Sequence, residues 1–278
     1  MDQQFQAHDR GIRKYVSRYI DSLPDLTGKV VVDIPCGDGH SSSEFSRKGA
    51  TVKSFDLYPE FMKAAEIEAH YADLTDRIPM EDGSADYLIC QEGIEHMPDQ
   101  MGVFREFNRV LKKGGTLIIT TPSISHARAR LSMLLLESDF WRRSAPTELD
   151  SVWFSDEDSD RLGFGHLFLV GVHRLQTMAT LSGFEVTSRL NTIWSGTSVV
   201  LGVLLYPLLA VSSLFAYFFY RRKNKHVGKD RRDAILWSSV KLNLSPTTVF
   251  CKHIFWIMQK RKEYPEVVAD MKALTRHS

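Results

Sequence analysis

The chain has 278 residues, a net charge of +1, 43% apolar and 25% charged residues. These are ordinary values for a folded protein, and they exclude a partner such as nucleic acid that is held by bulk positive charge. Length allows one large domain with insertions or two small ones. Cys36, Cys90 and Cys251 are isolated and form no CxxC pair, so neither a zinc site nor a disulfide framework is expected and a reducing, cytosolic compartment fits.

In chain order, residues 4–22 read as an amphipathic helix, with Phe5, Ile12, Tyr15, Val16, Tyr19 and Ile20 at helical spacing. The leading MDQQFQAHDRGIRKY is polar and lacks the apolar core of a signal peptide. Lys29–Ile34 is a continuous apolar run, as in a buried parallel strand. His40–Lys48 reads as a helix, Thr51–Phe55 as a strand ending at Asp56, and Pro59–Ala69 as a helix. Asp86–Cys90 is a second buried strand. The helix Gln100–Leu111 is ended by Gly114 and Gly115, and Thr116–Thr121 is a strand. Such alternation predicts a doubly wound, mostly parallel α/β sheet.

Residues 122–165 break that rhythm with a short helix, two tryptophan-containing turns and an acidic loop. They read as a cap inserted at the carboxyl edge of the sheet. A helix over Val172–Ser182 and a strand over Phe184–Ile193 restore the pattern.

The segment VVDIPCGDGH, residues 31–40, poses the functional question. In open α/β sheets, ligands bind beyond the carboxyl ends of the strands, and glycines in the first loop let them approach the backbone. Asp56, about 20 residues on, stands where a carboxylate grips ribose hydroxyls. VVDIPCGDG, FDLYPE, YADL, DYLICQEGIEH and LKKGGTLIITTPS follow in order. Together they make residues 28–190 resemble a class I S-adenosylmethionine-dependent methyltransferase of the ubiquinone-pathway or sugar O-methyltransferase branch.

The resemblance implies a seven-stranded Rossmann-like sheet over 28–193 and the cofactor S-adenosyl-L-methionine. It implies that Asp33 orients the loop and meets the methionine end, and that Gly37 and Gly39 allow close approach. Asp56, with Leu57, would take the ribose; Asp73 and Leu74 would hold adenine; Gln91 and Glu92 would end beside the sulfonium. Pro35 departs from the family's first loop glycine and removes an N–H donor. A dinucleotide dehydrogenase is the alternative for the loop alone, but it would want glycine where Ser42 stands. An ordinary turn cap is the alternative for Asp73.

Glu92, Glu95 and His96 form ExxEH. If they open a helix, they share one face, and two carboxylates with an imidazole can bind a divalent metal. The stretch also resembles the small-RNA 2′-O-methyltransferases, where a later histidine completes a magnesium site. His166 stands in that place. The resemblance therefore implies Mg2+ or Mn2+ on Glu92, Glu95, His96 and His166, with His96 and Glu92 as catalytic groups. His96 acting as a base or as a packing residue is the alternative. His126 and His173 read as packed or solvated, and His70 as lying at a strand start.

Residues 198–220 hold 23 residues without a charge, followed by the basic run RRKNKHVGKDRR. Length alone permits a transmembrane helix. However, VFCKHIFWIMQKRK, residues 249–262, resembles the family's last strand, which returns into the sheet. The insertion 194–248 would then begin and end on one side, and Pro207 would break its apolar stretch into two short helices. The expectation is a hairpin dipping into one leaflet of the inner face of the cell membrane, with an internally packed hairpin or a homodimer interface as alternatives. The expected activity is methylation of an oxygen acceptor, a saccharide or lipid-linked saccharide, with Trp141, Trp153 and Phe154 available to stack on sugar rings. A quinone precursor or lipid acceptor is the nearest alternative, and a non-catalytic cofactor-binding scaffold the alternative of another class.

Overall fold

A computed structural model describes residues 11–138, 146–155 and 162–275. Among them, seven strands form one sheet in the order β3-β2-β1-β4-β5-β9-β8. The strands are β1 (Val30–Asp33), β2 (Thr51–Asp56), β3 (Ala69–Tyr71), β4 (Ala85–Gln91), β5 (Leu111–Pro122), β8 (Phe184–Arg189) and β9 (His253–Lys260). The neighbours from β3 to β5 pair in parallel, and β9 enters antiparallel between β5 and β8. A separate two-stranded ribbon joins β6 (Val152–Ser155) to β7 (Leu162–Phe164).

Side chains alternate across a strand, and both faces of this sheet are covered. Val32, Leu88, Leu117 and Ile119 face one way, against Phe104 and Phe107 of α3 (Gln100–Val110) and Leu175 of α6 (Val172–Leu181). Val31, Ile89 and Ile118 face the other way, against Val16 and Ile20 of α1 (Arg13–Ser22) and Phe45 of α2 (His40–Arg47). This is the expected doubly wound architecture. The chain steps from β1 outward to β2, then crosses to β4 on the other side. Their carboxyl ends therefore diverge around a crevice.

Several boundaries differ from expectation. Of the predicted helix Pro59–Ala69, Pro59–Phe61 form a single 3-10 turn. Met62 and Ala64 instead pack over the first loop beside Gly39. Leu111 pairs with Ala85 and Thr116 with Tyr87. Gly114 and Gly115 therefore belong to a bulge inside β5 rather than to a helix end. β8 ends at Arg189, four residues before Ile193. His70 lies in the middle of β3, not at its start.

The cap contains α4 (Ala127–Leu136) and α5 (Glu148–Ser151) before the ribbon. Trp153 lies in β6, not in a turn, because Val152–Phe154 is a β-forming run that pairs with β7. Residues 4–10, Trp141 and the acidic loop at 156–161 lie outside the described residues, as do the side chains of Trp153 and Phe154.

The insertion 194–248 is the largest correction. Pro207 does not divide the apolar stretch: α7 (Gly196–Lys223) runs through it for 28 residues. A proline removes one helical hydrogen bond and crowds the carbonyl four residues earlier, here that of exposed Val203. Contacts with the returning helix α8 (Lys229–Asn243) and its C-terminal end hold the turns on either side of it. Asn243 Nδ2 donates to Ser213 Oγ at 2.7 Å, and Tyr206 Oη donates to the Leu244 carbonyl at 3.0 Å. A hairpin exists, but its arms are α7 and α8, and the basic run forms its turn. The short α9 (Pro246–Phe250) leads back into β9, and α10 (Tyr264–Thr275) follows the sheet.

Candidate active site

A cavity of about 510 Å³ opens beyond the carboxyl ends of β1, β2 and β4. Its size suits a nucleoside-bearing ligand. Asp33, Pro35, Gly37, Asp56, Leu57, Asp73, Leu74, Gln91 and Glu92 all line it. Arg13 and Ile12, at the start of α1, also line it, and the Arg13 guanidinium meets Asp38 at 2.8 Å. That contribution from the N-terminal helix carried no local signal.

Asp33 is buried, and Ser42 Oγ donates to its Oδ2 at 2.6 Å. Ser42, at the position where a dehydrogenase would carry glycine, therefore serves as the carboxylate's internal donor. Burial pushes the Asp33 pKa up to about 7; the Ser42 hydrogen bond opposes this, and the charges of Asp56 and Asp38 add to it. A positive ligand group at Asp33 would reverse the balance.

Gly37 has φ +52° and donates its N–H to Asp56 Oδ2 at 2.8 Å, while Tyr58 N donates to Oδ1 at 2.9 Å. The carboxylate thus ties β2 to the first loop and retains lone pairs for ribose hydroxyls. Gly39 does not line the cavity. Its φ is +84°, and an added Cβ would lie 2.2 Å from Met62 Sδ. The close approach it allows is to Met62, a correction to its expected ligand role. Gly93 plays a similar part beside Pro35, whose Cδ would lie 2.5 Å from an added Cβ. Asp73 caps its own turn, accepting Thr75 N at 2.8 Å, so the turn-cap reading and the lining position hold together. Ser41 Oγ donates to Gln91 Oε1 at 2.9 Å.

The ExxEH segment does not open an α-helix. Glu92 sits at φ +51°, and Ile94–His96 form a 3-10 turn. The expected common face is therefore absent. Glu92 Oε1 accepts Thr120 Oγ1 at 2.9 Å, and Oε2 lies 3.3 Å from His253 Nε2. Glu95 is fully buried. Its Oε2 accepts Thr121 Oγ1 at 2.9 Å, and its Oε1 has no hydrogen-bond partner. Burial, then the Glu92 charge, holds its pKa well above the usual carboxylate range.

His96 Nδ1 donates to the Phe164 carbonyl at 2.7 Å. In the neutral ring the lone pair is then on Nε2. The His166 ring stands 5.3 Å away, centroid to centroid. One ligand atom from each of Glu95, His96 and His166 lies within 4.8 Å of the others. Three of the four expected ligands converge, while Glu92 is held by Thr120 and His253 instead. Thr120 and His253 were missed because strand pairing brings them to Glu92, Thr120 through β4–β5 and His253 through β5–β9.

His126 is buried, and its Nδ1 accepts from Ser198 Oγ at 2.7 Å. Burial and the nearby Arg128 lower its pKa to about 4, so it is a neutral packing group that joins α4 to α7. His173 is exposed.

Residues 32–119 match the family model described as a methyltransferase domain. Those residues carry a methyltransferase domain. A ubiquinone biosynthesis O-methyltransferase from Xanthomonas oryzae pv. oryzae is 30% identical over 137 residues, which are 46% of this chain and 56% of that protein. The chain thus matches only about half the length of such relatives. A candidate S-adenosylmethionine-dependent methyltransferase from Listeria monocytogenes superposes with a TM-score of 0.51 at 13% identity, covering 90% of this chain and 96% of the other. A Haloferax volcanii methyltransferase, solved with the Trm112 activator, gives 0.50 at 13% identity, covering 94% and 95%. These two likenesses concern the fold. The methyltransferase domain accounts for the cavity, the loop and the carboxylates around it.

Proposed function

We propose that this chain methylates an oxygen acceptor, with His96 removing the acceptor's proton. The carrying observation is the His96 ring, which lines the cavity together with Glu92 and whose Nδ1–H donates to the Phe164 carbonyl, so that Nε2 carries the lone pair of the neutral ring. S-adenosylmethionine would supply an activated methyl group whose leaving group departs as a neutral thioether. The protein's part is alignment and proton removal. Alignment contributes several kcal/mol, and a positioned base contributes roughly 10²–10⁴-fold. Asp56 would hold the ribose, Asp33 the positive methionine end, and Asp73 with Leu74 the adenine.

In its alternative role His96 would instead use Nε2 to hold a divalent ion together with Glu95 and His166, and would then not act as the base. The orphaned Oε1 of Glu95 supports that fit, because a buried carboxylate oxygen without a donor is costly. Two imidazoles and one carboxylate favour manganese or zinc over magnesium. Bound there, the ion would acidify an acceptor hydroxyl and leave less work for a base.

The acceptor we favour is a hydroxyl carried on a lipid, a lipid-linked saccharide first. A prenylated phenol is the second reading, favoured by the name of the Xanthomonas relative. A phenol is far more acidic than a sugar hydroxyl, so it needs neither the ion nor a strong base. Calorimetry with S-adenosylhomocysteine, with and without manganese, followed by methyl-transfer assays on both acceptor types, tests this. Cofactor binding with His96→Ala losing turnover but not cofactor affinity is the expected result; a manganese isotherm abolished by His96→Ala would make His96 an ion ligand rather than the base. Cofactor binding without a metal signal leaves a base mechanism and the phenol. No cofactor binding overturns both the enzyme reading and the cofactor-binding scaffold.

A further inference from the structure

We infer that the α7–α8 hairpin, with the exposed end of α4, is a monotopic docking surface that lies in the headgroup region of an anionic phospholipid leaflet. The inference is independent of the methyl-transfer reading.

The first observation is apolar surface with nothing covering it. Val203, Leu204, Leu208, Val211 and Phe215 are between 63% and 73% exposed. A helix that is apolar on every side belongs in a core or in lipid, and among the described residues α7 is the one helix long and apolar enough to cross a membrane. Patches of this extent on a soluble protein mark an interaction site. α4 packs against α7 and ends in Leu134, Leu135 and Leu136, all exposed.

The second observation is charge. Residues 221–233 hold seven lysines and arginines (Arg221, Arg222, Lys223, Lys225, Lys229, Arg231, Arg232) against Asp230 and Asp233. They span the end of α7, the turn and the first residues of α8, next to the apolar stretch. Basic clusters beside apolar helices favour anionic headgroups. Tyr217 and Trp237 pack edge to face at 5.8 Å across the two arms, and Tyr and Trp are enriched at the level where lipid meets water.

Topology decides the orientation. α7 leaves the sheet after β8 and the chain re-enters at β9, which pairs with β8. An odd number of crossings is therefore impossible. α7 measures about 42 Å at 1.5 Å per residue, enough to span. α8 measures about 22 Å, less than the roughly 30 Å hydrocarbon layer, and its first five residues are all charged. It cannot return across a bilayer, so the hairpin lies along the surface. A second copy of the chain would cover the apolar face but would offer the basic turn another basic surface rather than phosphate.

The test uses the full chain and sedimenting vesicles of phosphatidylcholine, with or without phosphatidylglycerol. We expect co-sedimentation with the anionic vesicles and at least about tenfold weaker partition to phosphatidylcholine alone, given the number of basic residues. Arg222→Glu with Lys223→Glu and Lys225→Glu should reproduce that loss on anionic vesicles. Leu204→Asp with Phe215→Asp should abolish partition to both. These residues are exposed, and unchanged S-adenosylhomocysteine binding by the variants reports that the fold and cavity are intact. A wild-type chain left in the supernatant overturns the inference, and so does an apolar double variant that partitions like wild type. A dimer in sedimentation velocity that the double variant makes monomeric, with no vesicle binding, assigns the face to a second copy. Equal binding to both lipids overturns the anionic preference. For orientation, Asn224→Cys on bound vesicles should react with a membrane-impermeant thiol reagent; labelling only after detergent would overturn the surface-lying geometry.

Discussion

The cofactor cavity and the α7–α8 hairpin depart from the usual burial pattern in opposite senses. In and behind the cavity wall, polar groups are buried: Asp33, which lines the cavity, and Ser42, Ser54 and Glu95 behind it. On the hairpin, large apolar groups face outward: Val203, Leu204 and Phe215. The first set is almost entirely satisfied from within. Ser42 bridges Asp33 and Ser54, and Thr121 holds one oxygen of Glu95. Internal partners convert a costly buried group into a positioned one. The hairpin has no such internal partner for its outer face. What remains unsatisfied, the second oxygen of Glu95 and the face of α7, is where each region invites something from outside the chain.

If the cavity is built for chemistry, its largest sensitivity should be at His96. His96→Ala is expected to lower kcat by roughly 10²–10⁴-fold, while the dissociation constant for S-adenosylhomocysteine moves little. Steady-state kinetics beside calorimetry would separate the two, and an unchanged kcat would remove His96 from the reaction. Asp56→Ala should weaken cofactor binding by at least about a hundredfold, since it removes charge-assisted hydrogen bonds worth roughly 1.5–3 kcal/mol each and releases Gly37. Ordinary affinity in that variant would show that the carboxylate is merely structural.

Gly39→Ala probes packing rather than chemistry. A left-handed backbone and a contact with Met62 should together cost about 2 kcal/mol of stability, read as a lower denaturant midpoint with unchanged slope. Full stability would mean that Met62 moves aside freely.

The pH response sharpens the comparison further. Asp33 has its pKa raised to about 7 by burial. The unliganded protein therefore binds more protons folded than unfolded, and it should lose stability as pH rises from about 4 to about 7. Affinity for the positively charged cofactor should move the other way, tightening by up to about tenfold per pH unit over the upper part of that window and levelling above it. Calorimetry across this range would show a flat profile if Asp33 does not sense the ligand. The smallest effect is expected for Ser42→Ala. Losing the donor should raise the Asp33 pKa further and displace the affinity profile upward in pH, with a modest loss at neutral pH.

Much of the cavity was legible because its signals are local. Each strand of the parallel half is a short apolar run, and each of Asp33, Asp56 and Gln91 terminates one. Sheet order then brings these ends together without further instruction. The ExxEH reading failed for an equally physical reason. Helical spacing assumes a helix, but Glu92 adopts a left-handed conformation and Gly93 packs against Pro35. Glu92 thereby turns toward His253, 161 residues away in sequence and on a strand that pairs antiparallel with β5. The predicted helix at Pro59–Ala69 failed because the first loop, not the local pattern, sets where Met62 packs.

By itself, then, the sequence determined the doubly wound sheet, the carboxylates at its edge, the methyltransferase likeness and an apolar insertion with a basic flank. Those properties depend on residue type and on spacing within one element. Tertiary structure alone decided that Gly39 serves Met62, that three ExxEH-region ligands rather than four converge, and that α7 runs straight through Pro207 to pair with α8. Each of these depends on which groups meet across large sequence separations, where propensities of less than about 1 kcal/mol per residue yield to packing and hydrogen bonds made by the whole fold.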